Sequence, residues 1–495
     1  MAAALPATAA DKQQKRDIEI ANANQNKTKR ISLFEKGLDL RSFTAPTGIS
    51  IPEVRVVKVP SLGEYLPNLP HIPNTIVRTK VGETSQQKYN QEIDADENII
   101  LDLVRTKTEA ATAVIRAGPR RSIVWQRGEV KAAIVTCGGL CPGLNTVIWE
   151  IVNMLYYNYG VDEICGIRMG YRGFYDPQFL PFLRMTPQSV DGISARGGTV
   201  LGTSRGGFDA DKIIAACVEH GINQVYVIGG DGSHRACGKL HAAAFSRKLK
   251  LSFIGVPKTI DNDIGIIDRS FGFDTAVEEA EKAIASAAVE SRCTPNGIGI
   301  VKVMGRSSGF LAAHSALASR GVDLVLIPEV AFELDGKNGI LPHIARALKR
   351  NGHCLIVLAE GAGTHLLPAT AGTDPSGNKI LPDNGAFLKQ AINAYFKAQR
   401  VEVKIAYNDP SYMIRSVPAN SADQVYCIIL AQNAVHGAMA GYTGFTSALV
   451  NNRTCYLPVE LIVQSSPTYL NPHGRTWERV FSSTHQPNPV RVSKL

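Results

Sequence analysis

Residues 224–236 read QVYVIGGDGSHRA, and this stretch sets the expectation for the fold. A short apolar run ends in Gly229 and Gly230, followed by Asp231 and Gly232. Continuous apolar runs of this length are typical of parallel strands buried on both faces. Bare glycine backbone after such a strand can approach phosphate oxygens, and one carboxylate can hold a Mg²⁺ ion that the phosphates mostly ligate. The alternative is a plain Asp-Gly turn.

The same pattern recurs on both sides of this stretch, and helical stretches separate its copies. The helical stretch 274–291 places Val277, Ala280 and Ile284 at the spacing of a buried face, with Asp274 as candidate N-cap. The pattern predicts an α/β fold with two doubly wound, Rossmann-like domains. The other apolar runs are KAAIVTC (131–137), EICGIRM (163–169), LSFIGVP (251–257), GIGIVKVMG (297–305), LVLIPE (324–329), CLIVLAEG (354–361) and VEVKIAY (401–407).

Two more strand ends carry candidate chemistry. After the run at 131–137, Gly138 and Gly139 lead into a Pro-Gly-Leu-Asn helix start that favours an anion. It is not a Walker A loop, because Leu-Asn stands in place of Lys-Ser/Thr, and a tight turn is the alternative. The segment GVPKTIDNDIG (255–265) supplies two acids, Asp261 and Asp263, that could serve as a general base and a metal-side neighbour, with Lys258 as a charge clamp. A helix cap with solvated charges would explain the same residues.

Basic residues follow further strand ends or glycine-rich turns. The arginine fork suits phosphate, although a single arginine is more often part of a surface ion pair. Glu360 lies at the end of the apolar run CLIVLAEG (354–361) and can hydrogen-bond sugar hydroxyls or serve a structural role. The basic segments are GGTVLGTSRGG (197–207) with Arg205, VKVMGRSSG (301–309) with Arg306, and SYMIRS (411–416) with Tyr412 and Arg415.

The composition is that of a globular chain without a nucleic-acid or membrane partner. The 495 residues are 44% hydrophobic and 20% charged, enough for about two or three cores. The net charge of +9 fits an anionic small substrate as well as a polyanion, or an ordinary solvated surface. Only 7% of residues are aromatic, so there is little to stack on bases. The sequence contains no run of about 18 apolar residues, so no transmembrane helix is expected. The nine cysteines show no framework spacing, which predicts free thiols in a reducing compartment, and Cys137 and Cys141 lack a second pair for a metal.

The amino-terminal 128 residues read differently from the rest. Residues 1–128 are interpreted as an extended, partly disordered arm that packs on something else, with a helix at 98–117. The start lacks the apolar core of a secretory signal, and Asp11 and Asp17 argue against a transit peptide. Residues 362–385 are rich in Gly, Pro and Thr and predict a surface loop.

Taken together, the motifs resemble the ATP-dependent 6-phosphofructokinase family, and its plant and trypanosomatid branch in particular. The resemblance covers about 131–463 and implies ATP-dependent, Mg²⁺-requiring phosphorylation of fructose 6-phosphate to fructose 1,6-bisphosphate, the committed step of glycolysis. It also implies an allosteric homo-oligomer, expected to be a tetramer, whose subunits share phosphate-binding arginines. The motifs, in the family's order, are CGGLCPGLN, GYRGFYD, RGGTVLGTSRG, IGGDGS, GVPKTIDND, GFDTAVEEA, VMGRSSGF, PE, AEG and DPSYMIR.

The resemblance also implies roles by position. Asp261 is the expected proton acceptor, with Lys258 and Arg306 beside it, and Asp231 the Mg²⁺ ligand. The ATP site is expected at Gly139, Arg205, Gly206, Gly230, Asp231, Gly232 and Ser233, in a domain formed by 129–271 and 416–463. The fructose 6-phosphate site is expected at Thr259, Ile260, Asp261, Met304, Gly305, Arg306, Glu360, Tyr412, Met413, Ile414 and Arg415, mainly in a second domain, 272–415, before a tail at 464–495.

Departures from the family pattern leave alternatives. NGIGIV replaces the stretch with the subunit-crossing arginine of compact members, and Arg292 lies near it out of register. Lys404 would replace a different basic residue of the family. Pyrophosphate-dependent members carry a bulkier acid where this chain has Gly232, so Gly232 favours ATP as the phosphoryl donor. They share Lys258, however, so the two donor-specificity residues give a mixed signal. A lipid or NAD kinase would not explain PKTIDND or YMIR. A regulatory subunit should have lost Asp231 or Asp261.

The sequence closes on Ser493, Lys494 and Leu495, which match a peroxisomal address. The prolines and absent helical period before it predict an accessible tail. Import into a peroxisome or glycosome is therefore expected, with the cytoplasm as the alternative and a plastid as a lesser one.

Overall fold

A computed structural model describes residues 54–76, 92–101, 111–126, 128–368, 372–373 and 380–487. Residues 56–101 and 113–495 belong to one compact unit, and 1–55 with 102–112 to another. In the second, only Val54, Arg55, Ala111 and Thr112 are described.

The strands are numbered along the chain. They are β1 (Val54–Val57), β2 (Ile72–Pro73), β3 (Asn98–Ile100), β4 (Ala111–Arg116), β5 (Ser122–Ile123), β6 (Lys131–Thr136), β7 (Glu163–Ile167), β8 (Leu183–Arg184), β9 (Gln224–Gly229), β10 (Ser252–Pro257), β11 (Gly297–Val303), β12 (Leu324–Leu326), β13 (His353–Ala359), β14 (Lys404–Asn408), β15 (Phe445–Val450) and β16 (Arg453–Pro458).

The helices connect them. They are α1 (Leu144–Asn153), α2 (Ala210–Glu219), α3 (Asp231–Ser246), α4 (Phe273–Arg292), α5 (Phe310–Ser319), α6 (Ile340–Asn351), α7 (Asn384–Ala398), α8 (Ser411–Arg415), α9 (Ser421–Met439), α10 (Val459–Ser465) and α11 (Arg475–Thr484). Short 3₁₀ turns span Leu62–Glu64, Gly170–Phe174, Pro177–Phe179, Ile193–Ala195 and Thr364–Leu366, and α1 continues into a π turn, Met154–Asn158. Within the described residues no helix is long and apolar enough to cross a membrane.

Two separate sheets carry the fold. The larger runs β4-β16-β15-β10-β9-β6-β7-β8, with β3 also paired to β4, and its strands β15, β10, β9, β6 and β7 are parallel. The smaller runs β12-β13-β11-β14 and is parallel throughout. All eight apolar runs form parallel strands, as predicted. The predicted domain limits remain a prediction.

The larger sheet is buried on both faces, which explains its continuous apolar runs. Along β6, Ala132 and Ile134 pack into one core cluster with helices α1 and α9. Their neighbours Ala133 and Val135 pack into the opposite cluster with α2 and α3. Because side chains alternate along a strand, both sets of positions must be apolar.

The helix expected at 98–117 is wrong in its described parts. Asn98–Ile100 and Ala111–Arg116 are strands, and β4 pairs with β16 in the larger sheet. The segment ATAVIR contains β-branched residues and pairs with β16. Both features favour a strand and together outweigh the helical spacing of its apolar residues. Other parts of the expected arm also pack on the fold, since the Trp125 Nε1–H donates to the Ala438 carbonyl at 2.9 Å.

Helix α4 begins one residue earlier than predicted, and Asp274 is not its cap. Gly272 precedes the helix with φ 89°, and Asp274 instead pairs with Arg269 at 2.6 Å. The cap comes from Asp423 of α9, whose carboxylate accepts hydrogen bonds from the backbone N–H groups of Gly272 (2.9 Å) and Thr275 (2.7 Å) and from the Thr275 hydroxyl (2.6 Å).

Replacing Asp423 by alanine is expected to lower the free energy of unfolding by about 2–4 kcal/mol. Asp423 is fully buried, so the donors it leaves would lose their partner without gaining water. Thermal or denaturant unfolding measures the effect. The matched control is Asp274→Ala, which breaks a partly exposed ion pair worth about 0–1 kcal/mol. Equal losses in the two variants would contradict the capping role.

Candidate active site

Three strands of the larger sheet end at one edge and deliver three loops there. Strands β6, β9 and β10 are neighbours, and their register sets Thr136 beside Ile228 and Gly229 beside Pro257. Since parallel strands share a carboxyl edge, the Gly138-Gly139 turn, the start of α3 and the Lys258–Asp263 loop lie together.

Two adjoining cavities open along this edge. The first, of about 510 Å³, is called the glycine-rich cavity, and the second, of about 500 Å³, the arginine cavity. Because they share six lining residues, they form one continuous site: Gly139, Arg205, Asp231, Lys258, Thr259 and Asp263.

The glycine-rich cavity lies at the amino end of α3. Gly230 precedes this helix, Asp231 is its first residue, and Gly232 and Ser233 follow. A Cβ atom at Gly232 would meet no atom within 4 Å among the described residues, so the cavity is open at that point. Backbone N–H groups at a helix start favour an anion.

The arginine cavity gathers the strand ends of the smaller sheet. Arg306 follows β11, Glu360 follows β13, and Tyr412 and Arg415 lie on α8, after β14. The strands β13, β11 and β14 are neighbours, and the Glu360 N–H donates to the Val303 carbonyl at 3.0 Å. Two arginines and one carboxylate therefore face the same space.

Asp261 is a buried carboxylate in this cavity. Burial, with the nearby charges of Asp263 and Glu360, raises its pKa to about 7, while Lys258 and Arg306 oppose the shift. Its Oδ1 has no hydrogen-bond partner among the described residues. Asp261 can therefore change its protonation state near neutral pH.

Lys258 joins two of the loops. Its ammonium group is buried, with 6% of the residue exposed, and donates to the Gly139 carbonyl at 2.7 Å. Burial lowers the pKa of Lys258. A cation in this place stabilises negative charge where the two cavities meet.

The carboxylates of Asp231 and Asp263 lie where the two cavities meet. The Asp231 Oδ2 accepts from Arg235 at 2.8 Å, whereas its Oδ1 is buried without a partner among the described residues. Burial raises the pKa of Asp263. Groups of three or more His, Cys, Asp or Glu side chains that could hold a metal are absent from the described residues. Hard carboxylate oxygens fit Mg²⁺ when a ligand supplies the remaining contacts.

Sequence comparison places the chain in a family. The phosphofructokinase family model matches residues 131–438, and "ATP-dependent 6-phosphofructokinase 7" of Arabidopsis thaliana is 49% identical over 434 residues, 87% of this chain and 88% of that protein. This chain belongs to the phosphofructokinase family. A family member of Borreliella burgdorferi, "ATP-dependent 6-phosphofructokinase", is 40% identical over 87% of this chain and 96% of that protein.

The predicted α/β fold is confirmed by solved phosphofructokinases. The crystal structure of the pyrophosphate-dependent phosphofructokinase from Marinobacter aquaeolei matches with a TM-score of 0.59 and 18% identity. The match covers 72% of this chain and 92% of the Marinobacter aquaeolei chain. The predicted family is confirmed, and its plant relatives are among the matches.

Most positions predicted from the family motifs line this site. Gly305, Met413 and Ile414 do not: Ile414 is packed in the core, and Met413 is 72% exposed. Arg292 and Lys404 also lie outside both cavities. The predicted residues that line one or both cavities are Gly139, Arg205, Gly206, Gly230, Asp231, Gly232, Ser233, Lys258, Thr259, Ile260, Asp261, Met304, Arg306, Glu360, Tyr412 and Arg415.

Sequence reasoning missed several lining residues. Arg235 and Lys239 lie four and eight positions after Asp231, the spacing of one helix face, so the family's GGDG motif carried a signal for both. Phe208 and Pro467 also line the site, and no local pattern marks them. The tail therefore reaches the arginine cavity, although it had no predicted site role.

Proposed function

We propose that the chain transfers the γ-phosphoryl group of ATP to the C1 hydroxyl of fructose 6-phosphate. The observation that carries this is the continuity of the two cavities, with the buried Asp261, of raised pKa, lining the arginine cavity. The relatives' names, ATP-dependent 6-phosphofructokinase, support the same activity.

The glycine-rich cavity takes the nucleotide. Backbone at Gly139 and at the start of α3, together with Arg205, binds the phosphates, and Arg235 and Lys239 line the remainder. Asp231, through its buried Oδ1, would hold Mg²⁺ with Asp263 nearby. A bound Mg²⁺ ion neutralises phosphate charge and polarises the transferred group.

The arginine cavity takes the sugar phosphate. Arg306 and Arg415 bind its phosphate with paired N–H donors, and the Glu360 carboxylate accepts from a sugar hydroxyl. Thr259, Ile260 and Met304 complete the wall around the sugar.

Asp261 acts as general base. The C1 hydroxyl gives its proton to the Asp261 carboxylate as its oxygen bonds to the γ-phosphorus, and the bond from that phosphorus to the ADP oxygen breaks. Asp261 then releases the proton to solvent. Lys258 and Arg306, which both act electrostatically on Asp261, stabilise the charge on the transferred group.

A coupled assay tests the donor. With fructose 6-phosphate as acceptor, we expect turnover with ATP and a much lower kcat/KM with pyrophosphate, because the open space beside Gly232 leaves room for the nucleotide. Comparable or faster turnover with pyrophosphate would reject ATP as the donor, and no turnover with either would reject the function.

We also propose that the chain forms an allosterically controlled homo-oligomer, as the family resemblance implies. Its exposed aromatic side chains, such as Tyr156 and Tyr157, offer apolar surface for a second copy. Light scattering on the purified chain should give the mass of a tetramer, and a monomeric mass would reject this proposal.

We propose import into peroxisomes or glycosomes through Ser493, Lys494 and Leu495, which lie outside the described residues. A fluorescent protein fused at the amino terminus should colocalise with the organelle, and the fusion without the tripeptide should not. A control that ends in a scrambled tripeptide separates sequence from length. If all three fusions share one distribution, the tripeptide is not the address. If that shared distribution is diffuse, the cytoplasm is the best alternative.

A further inference from the structure

A polar junction, formed by Lys302, Asp383 and Asp409, joins strand β11 to the end of β14 and the start of α7. Lys302 of β11 places its ammonium 2.7 Å from Asp409 Oδ2, just after β14, and 3.3 Å from Asp383 Oδ1, just before α7. Only 17% of the Lys302 side chain is exposed. None of these three residues lines either cavity.

Asp409 connects this junction to the cavity. Its Oδ1 accepts hydrogen bonds from the backbone N–H (3.3 Å) and the hydroxyl of Ser411, the first residue of α8. Burial opposes ionisation of Asp409, but the hydrogen bonds from Lys302 and Ser411 lower its pKa below the usual value. The ionised carboxylate therefore holds the start of α8 while Lys302 holds the carboxylate.

Helix α8 needs such an anchor. It is a single turn, Ser411–Arg415, and one turn of helix is unstable without tertiary support. Ile414 is its only buried residue, and Tyr412 is largely exposed. Arg415 carries a buried Nε without a partner among the described residues, so its direction depends on how the turn is held.

We propose that Lys302 is a positioning residue for the sugar phosphate: its ion pair with Asp409 fixes α8 so that Arg415 faces the cavity. The identity of the ligand rests on the proposed function. Lys302 also acts electrostatically on Glu360, whose pKa is raised by burial and lowered by Arg306 and Lys302. One lysine thus supports two groups of the cavity without touching the ligand.

Lys302→Met tests this, because it removes the charge and keeps the apolar stem. We expect KM for fructose 6-phosphate to rise about tenfold, equivalent to about 1.4 kcal/mol, with kcat and the ATP KM within about twofold of the parent. Calorimetric titration with fructose 6-phosphate in the absence of ATP should show the same loss of affinity. Asp409→Asn should reproduce both changes, and the double variant should lose about tenfold rather than about a hundredfold.

Two controls separate positioning from folding. Lys131→Met breaks the Lys131–Glu163 pair (3.2 Å) at the amino end of β6, opposite the cavity edge, and should leave both KM values unchanged. In an Arg415→Ala background, the effect of Lys302→Met should shrink to about twofold or less, because Arg415 is the group being positioned.

The outcomes are distinct. A parent that neither binds nor phosphorylates fructose 6-phosphate rejects the proposed function and this inference with it. An active parent whose fructose 6-phosphate KM does not change in Lys302→Met rejects the inference alone. A full tenfold effect in the Arg415→Ala background also rejects it, since Lys302 would then act by another route.

Discussion

Asp261→Asn is expected to lower kcat by roughly 10²–10⁴ while the fructose 6-phosphate KM changes much less. Asparagine keeps the shape of the side chain but cannot accept the C1 proton. The sugar phosphate keeps Arg306 and Arg415, which carry its binding in the proposed complex. Steady-state kinetics with both substrates varied measure the two effects separately.

The pH dependence of the parent should identify the same group. Burial and the charges of Asp263 and Glu360 raise the pKa of Asp261 to about 7, so the carboxylate form needed as base is lost as the pH falls through 7. Below that value, kcat should fall by about tenfold per pH unit and level off above it. The Asp261→Asn variant should lack this acidic limb.

The control for this variant is Asp211→Asn, a change on the exposed surface. Asp211 pairs with Arg247 and lies on α2, outside both cavities, so its kcat should equal that of the parent. Unfolding temperatures of the two variants should stay close to the parent's, which excludes misfolding as the cause. A kcat for Asp261→Asn within a factor of about 3 of the parent would contradict the role of Asp261 as base.

The fold could be predicted where local chemistry and tertiary structure agree. A strand buried on both faces needs an unbroken apolar run, and each run at 131–137, 224–230 and 251–257 forms such a strand. Prediction failed where a distant partner decides. Asp274 had the right position for a cap, but the cap is Asp423, and β4 takes its conformation from pairing with β16.

The same division applies to the site. Residues at strand ends were found because the carboxyl ends of parallel strands share one edge of a sheet, as for Asp231 and Lys258 in the larger sheet. Arg306 was found in the same way at the end of a strand of the smaller sheet. Phe208 and Pro467 reach the cavities through loops whose course no periodicity encodes. The pairing of Lys302 with Asp409 is a tertiary contact that no motif signals.

Gly232→Asp is expected to raise the ATP KM by at least about tenfold, or ~1.4 kcal/mol, and to leave the fructose 6-phosphate KM nearly unchanged. The added carboxylate would stand in the glycine-rich cavity beside Asp231, where the nucleotide phosphates bind in the proposed complex. Repulsion between like charges in a partly buried cavity is strong, and the side chain also fills space. The fold itself should tolerate the change, because a Cβ atom there meets no described atom within 4 Å and an acid is favourable in the first turn of a helix.

Two further substitutions at Gly232 separate charge from volume. Gly232→Asn adds nearly the same bulk without the charge, and Gly232→Ala adds a single methyl group where the structure leaves open space. If repulsion dominates, the ATP KM should rise in the order alanine, asparagine, aspartate, and added salt should reduce only the aspartate effect. If the asparagine and aspartate variants raise the ATP KM equally, lost space is the cause. The rate with pyrophosphate should then be less affected than the rate with ATP, since pyrophosphate lacks the nucleotide end. An unchanged ATP KM in Gly232→Asp would show that the nucleotide does not pass Gly232, and the glycine-rich cavity would then not be the ATP site.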